Sequence, residues 1–181
     1  MGYQTDRFIT LEYEYDIRGN RMKIEVIRAD YGNRQHAGQI VELLDHYARD
    51  PMGGAAPLSD YARSHLVVQL AQRADALTLL AVVNGQFAGL ANCFEGFSTF
   101  AARPLMNIHD IAVLPAFRGL GVSQRLLAAV EDEARVRQCC KITLEVLEGN
   151  AVAQASYRKF GFAGYELQPE AGRALFWQKT L

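Results

Sequence analysis

The chain has 181 residues, half of them apolar, and a formal net charge of −1. That length suits one domain whose core stands without metal or disulfide support. The near-neutral balance argues against nucleic acid as a partner, which needs clustered Lys and Arg, and no apolar run approaches the ~20 residues of a membrane span.

Residues 1–21 read as an N-terminal extension, polar and acidic and without the apolar region of a signal peptide. Within it Phe8–Asp16 alternates weakly, as an added strand would, and Arg18–Arg21 is a turn signal. Lys23–Arg28 alternates as a first strand, so the domain is expected over residues 22–181, with Met22 a candidate translation start. Gln35–Arg49 has apolar residues at helical spacing and stops at Asp50-Pro51, and Met52–Pro57 is a loop. Ser59 is a candidate N-cap for a second helix through Leu70. Ala76–Val83 reads as a buried strand, Asn84-Gly85 as a tight hairpin turn and Gln86–Phe94 as the returning strand. Phe97–Pro104 reads as a loop.

Next come a strand (Ile108–Leu114), the loop Arg118–Ser123, an amphipathic helix from about Leu120, a strand (Ile142–Val146) and a helix ending in Tyr157 and Gly161-Phe162. Tyr165–Gln168 and Ala174–Lys179 are candidate closing strands, joined by a turn around Pro169–Gly172. This order predicts a mixed α/β sheet with helices on both faces. The three cysteines, Cys93, Cys139 and Cys140, lack zinc-ligand spacing, and neighbours such as the last two rarely pair. Reduced thiols, no metal and a cytoplasmic location are the expectation.

Gly119 and Gly121 remove Cβ atoms where the backbone must turn and approach a ligand. The stripe Val122, Leu126, Val130 and Ala134 starts a helix there, whose N-terminus favours an anion, and Arg118 adds a charge beside it. The spacing is not that of a Walker A loop. It is also a poor dinucleotide fingerprint, because Gln124 stands where the third glycine would and Pro115 separates loop from strand. Two glycines that merely turn the chain from strand to helix are the simpler alternative.

Two motifs go further. Arg118-Gly-Leu-Gly121-Val-Ser123 resembles the acetyl-CoA signature Gln/Arg-x-x-Gly-x-Gly/Ala of the GCN5-related N-acetyltransferase (GNAT) family, with Ser123 at the final small position. Asn150, Ala153, Tyr157, Gly161 and Phe162 match its second signature, Asn-x-x-Ala-x-x-x-Tyr-x-x-x-Gly-Phe. The resemblance covers nearly all of the chain beyond the first ~21 residues. It implies the GNAT fold, a mixed and mostly antiparallel sheet, and acetyl-CoA as co-substrate. In the family the pyrophosphate lies on the backbone amides of Gly119, Leu120, Gly121, Val122, Ser123 and Gln124. The pantetheine arm runs beside Ile111, Ala112 and Val113, Asn150 bonds the arm, and Tyr157 protonates the departing thiolate. A phenol of reference pKa ~10 suits that donation. Homodimers are common in the family, which makes one an expectation here.

The acceptor amine must lose a proton before it attacks. On the strand around Asn107–Val113, alternation predicts His109 on one side and Asp110 on the other. The polyamine-acetylating branch of the family has Glu-Asp where His109-Asp110 stands, so His109 corresponds to the proposed base. Asp110 and Glu145 are candidate acceptor contacts. Segments 50–57 and 97–103 line the acceptor end in the family, with Met52, Phe97 and Phe100 as apolar walls and Asp50 and Glu95 as attractors of a cation. A small-molecule primary amine, polyamine-like, is the expected acceptor. The alternatives are a protein or peptide acceptor and a non-catalytic CoA-binding module.

Overall fold

A computed structural model describes residues 13–15, 21–165, 170, 172 and 174–180. The chain falls into two compact units, Met1–Leu147 and Glu148–Leu181. In chain order the elements are β1 (Tyr13–Tyr15), β2 (Arg21–Arg28), α1 (Arg34–Arg49), α2 (Asp60–Ala71), β3 (Ala76–Val83), β4 (Gln86–Ser98) and β5 (Arg103–Val113). After a short 3-10 turn at Pro115–Phe117 follow α3 (Val122–Val136), β6 (Ile142–Leu144) and α4 (Ala151–Phe160). The first unit holds everything up to β6; the second holds α4 and the chain beyond it.

The sheet runs β1-β2-β3-β4-β5-β6, antiparallel except where β6 lies parallel to β5. Part of the expected extension thus forms the edge strand, with Tyr13 opposite Lys23. The rest of Phe8–Asp16 and residues 18–20 lie outside the described residues.

Strand β3 is buried almost end to end, as an apolar run covered on both faces must be. One face meets α1 and α2 through Ile40, Leu43, Leu70, Ala76, Leu80 and Leu90. The other meets α3, whose buried stripe includes Val122, Leu126, Val130 and Ala134. Asn84 and Gly85 both have positive φ, 48° and 82°, and Val83 faces Gln86. That is the two-residue hairpin the sequence predicts. Ser59 caps α2 as expected, its hydroxyl accepting from the Ala62 N–H. Helix α1 starts one residue earlier than its apolar pattern, because the Asn33 side chain caps the Gln35 and His36 N–H groups.

Three expectations need correction. The loop expected over 97–104 is only the turn 99–102: β4 continues to Ser98 and β5 begins at Arg103, so Phe97 pairs with Pro104 in the sheet. Strand β6 ends at Leu144 instead of Val146. Residues 174–179 form no strand, and Leu175, Phe176 and Trp177 are exposed. Of the segment Tyr165–Gln168, residues 166–168 lie outside the described residues, as do 169 and 171 in the turn that follows.

Candidate active site

Two breaks in regular pairing shape the first unit's site. The β5–β6 ladder covers Met106–Ile142, Asn107–Thr143 and Ile108–Leu144 and then stops, while β5 continues to Val113. Beyond Ile108 the β6-facing edge of β5 is therefore unpaired with β6, and its backbone polar groups are available to an extended ligand. The second break is a bulge in β5. Cys93 faces Ile108 but Asn92 faces Asp110, so His109 is an extra residue on β5.

The bulge overturns strict alternation. Without the extra residue Asn92 would oppose His109, and Asp110 would point to the other face. Instead both side chains meet β4 residues two apart, which share a face. His109 packs edge-on against Phe94 with ring centroids 5.6 Å apart, and Asp110 Oδ2 accepts from Asn92 Nδ2 at 3.1 Å. His109 is exposed and Asp110 half-buried.

The open edge of β5 leads to the glycine loop. Gly119 and Gly121 have φ of +79° and +80°, in the left-handed region that a side chain disfavours. A Cβ at Gly119 would meet no atom within 4 Å, so its conformation, and not crowding, calls for glycine. At the start of α3 the Arg125 N–H bonds the Gly121 carbonyl, which puts the positive end of the helix dipole at the loop. A pyrophosphate fits this chemistry: left-handed glycines, a helix N-terminus and an adjacent guanidinium. The segment Ile111–Val113 is half-buried on the strand that leads there.

Arg118 joins the loop to the end of α1. Its Nε donates to the Val113 carbonyl at 3.1 Å and its Nη2 to Asp50 Oδ2 at 3.1 Å. The Met52 N–H and Arg118 hold the Asp50 carboxyl below its usual pKa. Asp50 is thus already neutralised, unlike the free attractor the sequence suggests. Glu95 is likewise engaged, 3.1 Å from Arg137 Nη1. Burial raises the Tyr47 phenol's pKa, and the carboxylates of Asp110 and Asp50 raise it further.

The other acceptor candidates do not gather at this point. Phe97 is 63% exposed and five residues along β4 from Asn92, about 17 Å at strand rise. Met52 lies in the turn after α1, its N–H bonded to Asp50 Oδ1. Glu145 is exposed just past β6. No motif singles out Tyr31, Tyr47, Thr78 or Asn92. Thr78 and Asn92 carry one signal, a polar residue inside an apolar strand, and Tyr31 and Tyr47, in a turn and in α1, carry none.

In the second unit, the second motif describes a helix with both ends capped. Asn150 Oδ1 accepts from the Ala153 N–H at 3.1 Å and starts α4. Gly161, with φ +106°, ends it. The Gly161 N–H bonds the Arg158 carbonyl and the Phe162 N–H bonds the Tyr157 carbonyl, the Schellman pattern. Tyr157 and Phe162 meet edge to face at 6.0 Å, the side-chain contact that accompanies such a cap. Four motif residues thus build the helix that carries the tyrosine.

Among the described residues no group of three or more His, Cys, Asp or Glu is placed to hold a metal ion, and no helix is long and apolar enough to cross a membrane. The cysteines are free thiols.

The model of the acetyltransferase (GNAT) family matches residues 39–162. The chain belongs to the GNAT family. Streptothricin acetyltransferase of Streptomyces lavendulae is 38% identical over 91 residues, 50% of this chain but only 46% of that protein. An uncharacterized N-acetyltransferase of Bacillus subtilis (strain 168), YhfO, is 28% identical over 132 residues, 70% of this chain and 83% of that one. The aminoglycoside acetyltransferase AAC(6')-Iy, in complex with the bisubstrate analogue CoA-S-monomethyl-acetylneamine, superposes with a TM-score of 0.68. That match covers 87% of this chain and 99% of that one at 20% identity, so the two share the GNAT fold.

Proposed function

We propose that this chain is an acetyl-CoA-dependent N-acetyltransferase that transfers acetyl directly to a primary amine of a small, cationic acceptor. The observation that carries the reading is the open edge of β5 beyond Ile108, running into the left-handed glycine loop at the head of α3. An extended pantetheine arm suits the first and a pyrophosphate the second. The three free thiols suit a reducing compartment such as the cytoplasm.

The chemistry follows from the residue types. His109 takes a proton from the acceptor ammonium, and the freed lone pair attacks the thioester carbonyl carbon. The C–S bond then breaks as Tyr157, the position the family motif assigns to this task, gives its phenolic proton to the thiolate, and the second proton, shed by the nitrogen as it becomes an amide, restores the phenol. The products are CoA thiol and an N-acetyl amide. Holding both reactants contributes orientation, and the proton transfers contribute the rest. Asp110, half-buried on the face that the bulge gives it in common with His109, is the side chain that receives a cationic acceptor. Acceptors of that kind include streptothricin, named for one relative, and the aminoglycoside portion of the analogue bound by AAC(6')-Iy.

The test is thiol release from acetyl-CoA with streptothricin, neamine, spermidine and a peptide with a free N-terminus. Turnover on one of the small polyamines is expected. Turnover on the peptide alone redirects the reading to protein acetylation. CoA binding without turnover on any acceptor marks a binding module, and no CoA binding removes the donor assignment.

A further inference from the structure

Thr78 and Asn92 are the buried polar residues of the core among those described, at 1% and 3% exposure. A buried amide or hydroxyl costs stability unless it is bonded, and apolar residues of like size would fill a sheet at least as well. Their bonds form one line across three strands and the turn before α1. Tyr31 Oη lies 3.0 Å from Thr78 Oγ1, Thr78 Oγ1 2.7 Å from Asn92 Oδ1, and Asn92 Nδ2 3.1 Å from Asp110 Oδ2. In the register Thr78 faces Asn92 and Asn92 faces Asp110, and the extra residue His109 creates the second of these alignments.

The line runs one way. An ionised carboxylate only accepts, so Asn92 must turn its N–H toward Asp110 and its carbonyl oxygen toward Thr78. Thr78 then donates its single proton to Asn92, and Tyr31 must donate to Thr78. At its start, Tyr31 and Thr78 line a cavity of about 420 Å³ with Arg28 and Arg73. An amide passes protons poorly, so the line orients and does not relay. At its end it fixes Asp110 Oδ2 and leaves Oδ1 without a partner among the described residues.

We infer that Asn92 is a positioning residue for acceptor recognition, the last link of a directed hydrogen-bond line from Tyr31 through Thr78 that aims the Asp110 carboxylate at the acceptor ammonium. This rests on the proposed transfer to a cationic amine. The line ends on a charged group, where a lost hydrogen bond is worth the most. Asn92→Leu should raise the acceptor KM about 10-fold, with the acetyl-CoA KM and kcat little changed.

The experiment is a double-mutant cycle with acetyl-CoA and whichever of streptothricin, neamine or spermidine is turned over. It uses the wild type, Asn92→Leu, Asp110→Asn and the pair, and it adds Thr78→Val. Asp110→Asn should raise the acceptor KM by itself, and Asn92→Leu should add nothing in the Asp110→Asn background. Thr78→Val, which breaks the line one link earlier with little change of volume, should raise the same KM by a smaller factor. It carries the test if Asn92→Leu does not fold. A merely structural role would lower activity equally in both backgrounds, and that result overturns the inference. So does an unchanged acceptor KM in both Asn92→Leu and Thr78→Val while Asp110→Asn is impaired, an outcome that leaves the transferase reading standing. A wild type that acetylates none of the amines removes both.

Discussion

Tyr157 illustrates how one side chain serves structure and chemistry through different atoms. Its ring packs on Phe162 at the end of α4, and its hydroxyl is the proposed proton donor. Tyr157→Phe keeps the ring contact and deletes only the hydroxyl, so it isolates the second task. A general acid typically contributes a factor of 10²–10⁴. The variant is expected to lose about 10²-fold in kcat, with the acetyl-CoA KM unchanged. Full turnover in steady-state assays would remove the acid role from this residue. Cys93 shows the opposite case. Burial pushes its thiol up to about 12, so it stays protonated and is a poor nucleophile. Direct transfer therefore fits the described thiols better than an acyl-cysteine route through Cys93.

The β4–β5 pair is the element on which the site hangs, and its close approach depends on Gly89. A Cβ there would come within 2.4 Å of the Ala112 carbonyl oxygen and 3.2 Å of Val113 Cα. Both are backbone atoms of the open-edged strand that leads into the glycine loop, so neither can rotate aside. Gly89→Ala should push Ala112 and Val113 outward and raise the acetyl-CoA KM several-fold, with a lowered thermal midpoint. An unaltered KM from initial-rate measurements would mean that this end of β5 does not contact the donor. Legibility follows from how local each signal is. Ser59, Asn84-Gly85 and Gly161 act on their own neighbours, so the α2 start, the hairpin and the α4 end can be read from a few residues. The His109 bulge is a matter of pairing between strands, and residue types along β5 do not announce it. That is why alternation separates His109 from Asp110 while the folded strand brings them to one face. The line through Asn92 is hidden for the same reason: its members lie 14 and 18 residues apart along the chain and become neighbours only in register.

At the scale of the first unit, the ionisable groups set a stability window with two limits. Arg49, foremost among its partners, lowers the Asp45 pKa, the Met52 N–H and Arg118 lower that of Asp50, and Arg73 lowers that of Asp75. A carboxylate with a depressed folded pKa binds fewer protons folded than unfolded. Its stabilisation is present above the unfolded value of 3.8 and is lost as pH falls through the lower folded value. At the alkaline limit burial raises Tyr31, Tyr47 and Cys93, the last from 9.0 to about 12. These groups hold their protons more tightly when folded, so their stabilisation is present below the unfolded pKa and disappears as pH climbs toward the folded one. The expected thermal midpoint of the unit is therefore flat from about pH 5 to 8, and falls below about pH 4 and above about pH 9. The two limbs are separable. Cys93→Ala removes the thiol with the largest upward shift, so the alkaline limb should flatten while the acid limb keeps its slope. Calorimetry across pH in both proteins checks this. A midpoint that rises below pH 4, or an alkaline limb unchanged by Cys93→Ala, would mean that other groups govern that limit.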